Sequence, residues 1–290
     1  MAKNKNKKFS GKNIEQINKQ DKKLNIKLGF IGTGKMATAL IKSILSSKLL
    51  TSQDIFCSDV KKENLDAAHS HFNINLSDNL GVCSQADILF LCVKPQDMVE
   101  LLKEISKETK NKLVVSIAAG ITIATLEQHL SDARIIRVMP NTPCLVGEMA
   151  AVYSLGKKAS PQDQKNLLQI LNAGGKAFEL KEELIASATA VSGCGPAFFA
   201  YFIDGFVKAA IKQGLSPDIA LQLAEQTCLG TGKLLLETKM QPTELIKMVA
   251  SPNGVTEAAL KVFEQKNVRG ILAETIQAAI KRADELAKGK

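Results

Sequence analysis

Two stretches of the 290-residue chain carry residue types and spacings able to do chemistry. In Gly32-Thr33-Gly34-Lys35-Met36-Ala37, a glycine-x-glycine-x-x-alanine turn ends the apolar run Lys27–Gly32 and opens an amphipathic stretch reaching Ser47. There the first glycine permits a tight reversal and the second lets backbone approach a pyrophosphate. The small alanine allows the helix to pack close on its strand. N–H groups at the helix start then hold the phosphate charge. In Ser251-Pro252-Asn253-Gly254-Val255-Thr256, a turn precedes a helical pattern running through Val262. Free N–H groups at such a start attract an anion, and a carboxylate would fit without a dedicated arginine. Read alone, the first is equally an ordinary tight turn and the second a plain helix cap. The first gains from its strand–turn–helix setting.

The elements that must position these residues fall into two kinds. Seven short runs rich in Ile, Leu, Val and Phe on both faces predict strands at Lys27–Gly32, Asp54–Asp59, Asp87–Val93, Lys112–Ile117, Arg134–Met139, Ala150–Ser154 and Lys176–Leu180. Such strands, alternating with amphipathic stretches, predict an α/β unit with a doubly wound, mostly parallel sheet covered by helices. Strands after Asn141-Thr142-Pro143 need not stay parallel. From residue 182 the pattern is helical throughout: 182–190, 195–213, 217–238, 242–250, 255–265 and 268–287. Ser216-Pro217 reads as an N-cap with proline in the first turn, and Gly195-Pro196 reads as a hinge. Phe198, Phe199, Tyr201, Phe202 and Phe206 place five of the thirteen aromatics within nine positions. So wide an apolar face needs burial nearly all round. That favours a homodimer interface over the core helix of a small domain.

More sites follow the strand ends, where ligands bind in such sheets. Asp59 is the acidic type that accepts ribose hydroxyls and disfavours a 2′-phosphate. Its neighbours Ser58, Lys61 and Lys62 are donors suited to that phosphate. The residues thus leave NADPH against NADH open, and NADPH is taken as the expectation. Val93-Lys94-Pro95 closes the next sheet strand, although Lys94 alone would be a solvated loop lysine. Ala118-Ala119-Gly120 offers small residues that admit a flat nicotinamide ring.

Charge and cysteines narrow the class. The net charge is +9, of which residues 1–27, with nine lysines against Glu15 and Asp21, carry +7. That stretch lacks apolar periodicity, so residues 1–25 are predicted to be a disordered basic tail. No aromatic interleaves its lysines for base stacking, so no nucleic-acid partner is expected. No uninterrupted apolar run approaches the roughly 20 residues of a membrane span, so no membrane role is expected. Cys57, Cys83, Cys92, Cys144, Cys194 and Cys228 show no C-x-x-C spacing and read as reduced residues of a cytoplasmic protein. His69, His71 and His129 do not form a metal set.

Six motifs in order resemble the pyrroline-5-carboxylate reductase family. They are Gly32-x-Gly34-x-Met36, Val93-Lys94-Pro95, Val115-Ser116-Ile117-Ala118-Ala119-Gly120, Arg137-x-Met139-Pro140-Asn141-Thr142-Pro143, Ser192-Gly193-x-Gly195-Pro196-Ala197 and Ser251-Pro252-x-Gly254-x-Thr256. The resemblance implies a Rossmann-like domain over 26–181 and an all-helical substrate and dimerisation domain over 182–290, assembled as a homodimer or ring of dimers. It implies NAD(P)H-dependent reduction of the C=N bond of 1-pyrroline-5-carboxylate to L-proline. It places Asn79 near the adenosine ribose or its phosphate, and Lys94, Pro95, Ala118 and Gly120 beside the nicotinamide, with Asn141 and Thr142 close to it. Gly32, Thr33, Gly34, Lys35, Met36, Ser58, Asp59, Val93 and Ala119 complete the expected cofactor set. Ser251, Gly254, Val255 and Thr256 match the substrate loop. Cys194, Asn253 and Val255 depart from the usual serine, glycine and threonine or alanine. An imine accepts hydride once its nitrogen is protonated, so Thr256, as donor or proton relay, is the catalytic candidate. No histidine falls in the motifs, and positioning must supply much of the acceleration. Two other readings are a β-hydroxyacid dehydrogenase-like reductase, using Lys208, Lys212 or Lys233, and a non-catalytic cofactor-binding regulator. The retained Ser251–Thr256 turn argues against the second.

Overall fold

The structure is a computed structural model that describes residues 24–287. The basic stretch predicted to be a tail lies, over residues 1–23, outside the described residues. Eight strands form one sheet: β1 (Leu28–Ile31), β2 (Ile55–Ser58), β3 (Asn75–Leu76), β4 (Ile88–Leu91), β5 (Leu113–Ser116), β6 (Arg134–Met139), β7 (Met149–Leu155) and β8 (Gly175–Glu179). Their spatial order is β3-β2-β1-β4-β5-β6-β7-β8. All neighbouring pairs are parallel except β6 with β7. The antiparallel step falls after Asn141-Thr142-Pro143, where the sequence allowed one. The seven predicted strands are present. The eighth, β3, has two residues and no apolar run, and is drawn in by the free edge of β2 through Ser77 N to Cys57 O at 2.9 Å.

Helices α1 (Lys35–Ser46), α2 (Lys62–Phe72), α3 (Asn79–Gln85), α4 (Pro95–Ile105), α5 (Ile123–His129) and α6 (Pro161–Asn172) connect the strands. Every residue of β1, β4 and β5 is buried, as expected of strands covered on both faces. Two large apolar clusters result, one centred on Phe30 and Phe90, whose rings stack 4.9 Å apart, and one on Leu89, Val114 and Ile135, and a small third, Met139, Val152 and Ile185, joins the sheet to α7. Helix α6 starts with a capping box in which Asp163 also receives Arg134 Nε at 2.8 Å.

From Glu182 onward the chain is helical. A 3₁₀ turn (Glu182–Leu184) leads into α7 (Ile185–Ala188), a π turn (Thr189–Gly193), α8 (Gly195–Lys212), α9 (Pro217–Thr238), α10 (Pro242–Val249), α11 (Val255–Gln265) and α12 (Val268–Ala287). Helices α8 and α9 pack on each other, while α12 returns to α7 and the π turn. Two expectations need correction. Gly195-Pro196 is no hinge, because the π turn carries the chain through it and residues Glu182–Lys212 form one continuous 31-residue helical stretch. That stretch is consequently long and apolar enough, by length and composition, to cross a membrane, contrary to the count of uninterrupted apolar residues. Ser216 does stand at the N-cap of α9, but its side chain makes no capping hydrogen bond.

Candidate active site

The strand order reverses between β1 and β4, and the crevice beyond their carboxyl ends is where such sheets take ligands. Gly32 sits there with φ of +94°, and a Cβ would lie 2.9 Å from the backbone of Cys92. Only glycine meets both demands. Gly34 differs: its backbone is extended, it caps α1, and a Cβ would find nothing within 4 Å. Backbone therefore faces open space at the head of a 12-residue helix with no side-chain cap and no acid in its first turn. The N–H groups of Lys35 and Met36 have no intrahelical acceptor, and Ala37, 1% exposed, lets α1 lie close on the sheet. The turn fits a dinucleotide pyrophosphate.

The end of β2 holds a hydrogen-bonded hub. Asp59 Oδ2 accepts from Thr33 N at 2.7 Å, Thr33 Oγ1 at 3.0 Å and Asn64 Nδ2 at 3.1 Å, while Oδ1 accepts from Lys61 N at 2.8 Å. Burial alone would raise the Asp59 pKa, but these donated bonds outweigh it and hold the carboxyl below its ordinary value. Thr33 is buried by this tie, so its N–H serves the loop and not a phosphate. Beside the hub, Ser58 Oγ donates to Asn79 Oδ1 at 2.8 Å, and Asn79 Nδ2 donates to Glu104 Oε2 at 2.9 Å. Asn64 and Glu104 were missed from the sequence, and neither sits in a motif that could have marked it.

Val93, half-buried, leads to Lys94, the exposed N-cap of α4, with Pro95 at the first helical position. Ala118 is buried and Ala119 exposed. Gly120 carries a constraint the sequence did not show: with φ of +77°, its open side meets the Leu286 backbone of α12, where a Cβ would lie 3.1 Å from that carbonyl oxygen. Asn141 has a structural role as well. Its amide is spent inside the protein, with Nδ2 donating to Ser192 O at 2.9 Å and Oδ1 accepting from Ala150 N at 2.9 Å. The reason lies in Pro196, which has no N–H to give the Ser192 carbonyl one turn back. Asn141 fills that vacancy and ties the end of β6 to the π turn.

The Ser251–Thr256 turn is formed as a helix start, with Asn253 at φ of 57° and Gly254 as the N-cap of α11. Glu257, unremarked in the sequence, reaches back from the first turn so that Asn253 N donates to its Oε2 at 3.1 Å, and Lys261 pairs with the same oxygen at 3.3 Å. The N–H groups of Val255 and Thr256, in the first turn of α11, have no intrahelical acceptor, and Val255 is 90% exposed. Thr256 lines an apolar groove of about 590 Å³ with Leu234, Leu245, Ile246 and Leu260. Among the described residues, α11 packs on α12 and lines this groove with α9 and α10, and no packing of that extent joins it to the sheet. One chain therefore brings together the Gly32–Met36, Ser58–Asp59–Asn79 and Val93–Pro95 sets at the strand ends. It does not bring the Ser251–Thr256 turn to them.

The lysines of the competing dehydrogenase reading sit on solvent faces. Lys208 pairs with Asp204 at 2.7 Å and Lys233 with Glu237 at 3.8 Å. The Asp204 hydrogen bond raises the Lys208 pKa, the opposite of what a catalytic amine requires. Among the described residues no group of three or more His, Cys, Asp or Glu side chains could hold a metal ion.

A doubly wound sheet with an open glycine turn at its switch point, joined to a helical unit of unburied apolar faces, defines a two-part dinucleotide-dependent oxidoreductase. Residues 27–120 match the family described as NADP oxidoreductase coenzyme F420-dependent, and residues 182–286 match pyrroline-5-carboxylate reductase dimerisation. The chain belongs to the pyrroline-5-carboxylate reductase family. It is 39% identical to the pyrroline-5-carboxylate reductase of Methanosarcina acetivorans, covering 91% of this chain and 99% of that one. It is 35% identical to the Escherichia coli protein of the same name, covering 90% and 98%. The Plasmodium falciparum pyrroline carboxylate reductase crystal structure with NADP bound superposes with a TM-score of 0.83 at 32% identity, over 91% of this chain and 98% of that one.

Proposed function

We propose that this chain reduces the C=N bond of 1-pyrroline-5-carboxylate to give L-proline, with NADPH as the preferred hydride donor and NADH as the alternative. The observation that carries this reading is near-complete coverage of a 39% identical reductase, with the glycine cradle and the Ser251–Thr256 turn both retained. When bound, the coenzyme supplies the hydride from its nicotinamide ring.

The protein supplies placement and a proton. Gly32, Gly34, Lys35 and Met36 present backbone to the pyrophosphate. Ser58, Asn79 and the exposed Lys61 and Lys62 serve the adenosine end. Val93, Lys94, Pro95, Ala118 and Ala119 border the nicotinamide. The substrate carboxylate is read at the N–H groups of Val255 and Thr256, with Ser251 and Gly254 shaping the turn. Thr256 Oγ1 donates to the ring nitrogen or relays its proton from water. Since its turn stays with its own helices, the site is completed in the homodimer, by the Ser251–Thr256 turn of the second copy. On this reading residues 26–181 form the coenzyme domain and 182–290 the substrate and dimerisation domain, in a ring of dimers in the cytoplasm. The six free cysteines suit that compartment.

Following NADPH oxidation with pyrroline-5-carboxylate, with a 3-oxo acid and with neither tests the reading. Turnover only with the imine is expected. Turnover only with the 3-oxo acid would replace it by the dehydrogenase reading, and binding without any turnover by the regulator.

A further inference from the structure

An acidic residue at the end of the second strand of such a sheet usually receives the two hydroxyls of an adenosine ribose. Asp59 has the right position, yet its carboxylate is already taken. Three donors fall on Oδ2, from Thr33 N, Thr33 Oγ1 and Asn64 Nδ2, and one on Oδ1, from Lys61 N. A carboxylate has about four lone-pair sites, so at most one is left, on Oδ1. Receiving two ribose hydroxyls needs more than that.

The geometry points to Thr33 and Asn64 as the residues that set coenzyme preference, by engaging Asp59 Oδ2 and withdrawing the carboxylate from ribose recognition. The inference rests on the reductase reading and sharpens it. With Asp59 turned inward, a 2′-phosphate meets a carboxylate whose charge is already met by four donors. It also meets Lys61 and Lys62 on the exposed side of the same loop. Lys62 is free to turn toward it, because its pair with Asp66 is exposed on both sides, at 88% and 58%. Such a pair holds little energy. Thr33 lies between the two glycines and Asn64 in the first turn of α2, so the preference is written outside the residue usually consulted for it.

Calorimetric titration of NADPH and NADH onto the dimeric protein, alongside kcat/KM for each, tests this. The unsubstituted protein is expected to bind NADPH at least about tenfold more tightly than NADH. Thr33→Val with Asn64→Leu frees two of the three bonds on Oδ2 and is expected to tighten NADH by about tenfold. Asn64→Leu alone moves the ratio in the same direction, which covers an unstable double variant. Thr33→Ser keeps the hydroxyl and the original ratio. Structural damage alone would weaken both coenzymes, so a gain for NADH is the distinguishing sign. A preference for NADH in the unsubstituted protein, or an unchanged ratio in the variants, overturns the inference. A shifted binding ratio with no turnover of pyrroline-5-carboxylate upholds it and removes the reductase reading instead. Binding of neither coenzyme removes both.

Discussion

The sheet half and the helical half of this chain solve burial differently. In the sheet half, β1, β4 and β5 are buried along their whole length and two apolar clusters fill the space beneath the helices. In the helical half, the buried apolar residues are Ile185, Ala190 and Ala220. Twenty-three of the thirty exposed large apolar residues of the described chain lie beyond Glu182, among them Phe199 at 63%, Tyr201 at 79% and Phe206 at 59%. Monomeric proteins rarely leave so much contiguous apolar surface in water. One half carries a complete core; the other carries half of one, which the dimerisation match at 182–286 accounts for. The 31-residue apolar stretch Glu182–Lys212 belongs to that unfinished core.

The widest break in this comparison would come from charging the exposed face of α8. Phe199→Glu with Phe206→Glu buries unpaired charges in any dimer. It should give a monomer by light scattering and lower kcat/KM by roughly a hundredfold or more. Coenzyme affinity should stay within about twofold, because the sheet half carries its own buried core. Loss of coenzyme binding together with the dimer would show that the halves are not independent.

Thr256→Ala asks what the helical half contributes to chemistry. A lost proton relay is expected to lower kcat by about a hundredfold while coenzyme affinity holds. Full activity would remove Thr256 from the mechanism. At the seam, Asn141→Ala leaves Ala150 N and Ser192 O without their partner. Denaturant unfolding should show a loss of about 2–3 kcal/mol, and an unchanged midpoint would mean that the tie between the halves holds nothing.

The smallest effect is in acid. Asp59 and Asp163 both have depressed pKa values: burial would raise each, but hydrogen bonds outweigh it, for Asp163 from Arg134 and Ser160. A carboxyl bound more strongly when ionised contributes stability in full above its unfolded pKa, near 4. That contribution disappears as pH falls through the folded pKa. Stability measured by circular dichroism should therefore fall below about pH 4, and Asp163→Asn should flatten that acid limb while lowering the plateau above it. An unaltered acid limb would show that this sheet-half carboxylate does not govern it.

Much of this could be read locally. Strand and helix types follow from apolar periodicity, and α9, α11 and α12 begin at or directly after Pro217, Gly254 and Asn267, the residues that punctuate the sequence there. The glycine turn was equally legible, since the demand on Gly32 arises within a few residues of it. Two-residue β3 was not, because its only signal is the edge offered by β2. Cys92, half-buried at the end of β4, has a thiol that desolvation pushes well above the ordinary range.

What the sequence by itself determined, then, was every strand but β3, the helical run after residue 182, their order, and the six motifs that fix the family, all consequences of short-range propensity and pattern. What only the tertiary structure decided was what each polar group faces. Thr33 finds Asp59 across 26 positions and Asn141 finds Ser192 across 51. Gly120 meets Leu286 from the far end of the chain. A hydrogen bond depends on distance and direction in space, and these are set by topology and packing, so a side chain's identity gives its capacity to bond without giving its partner.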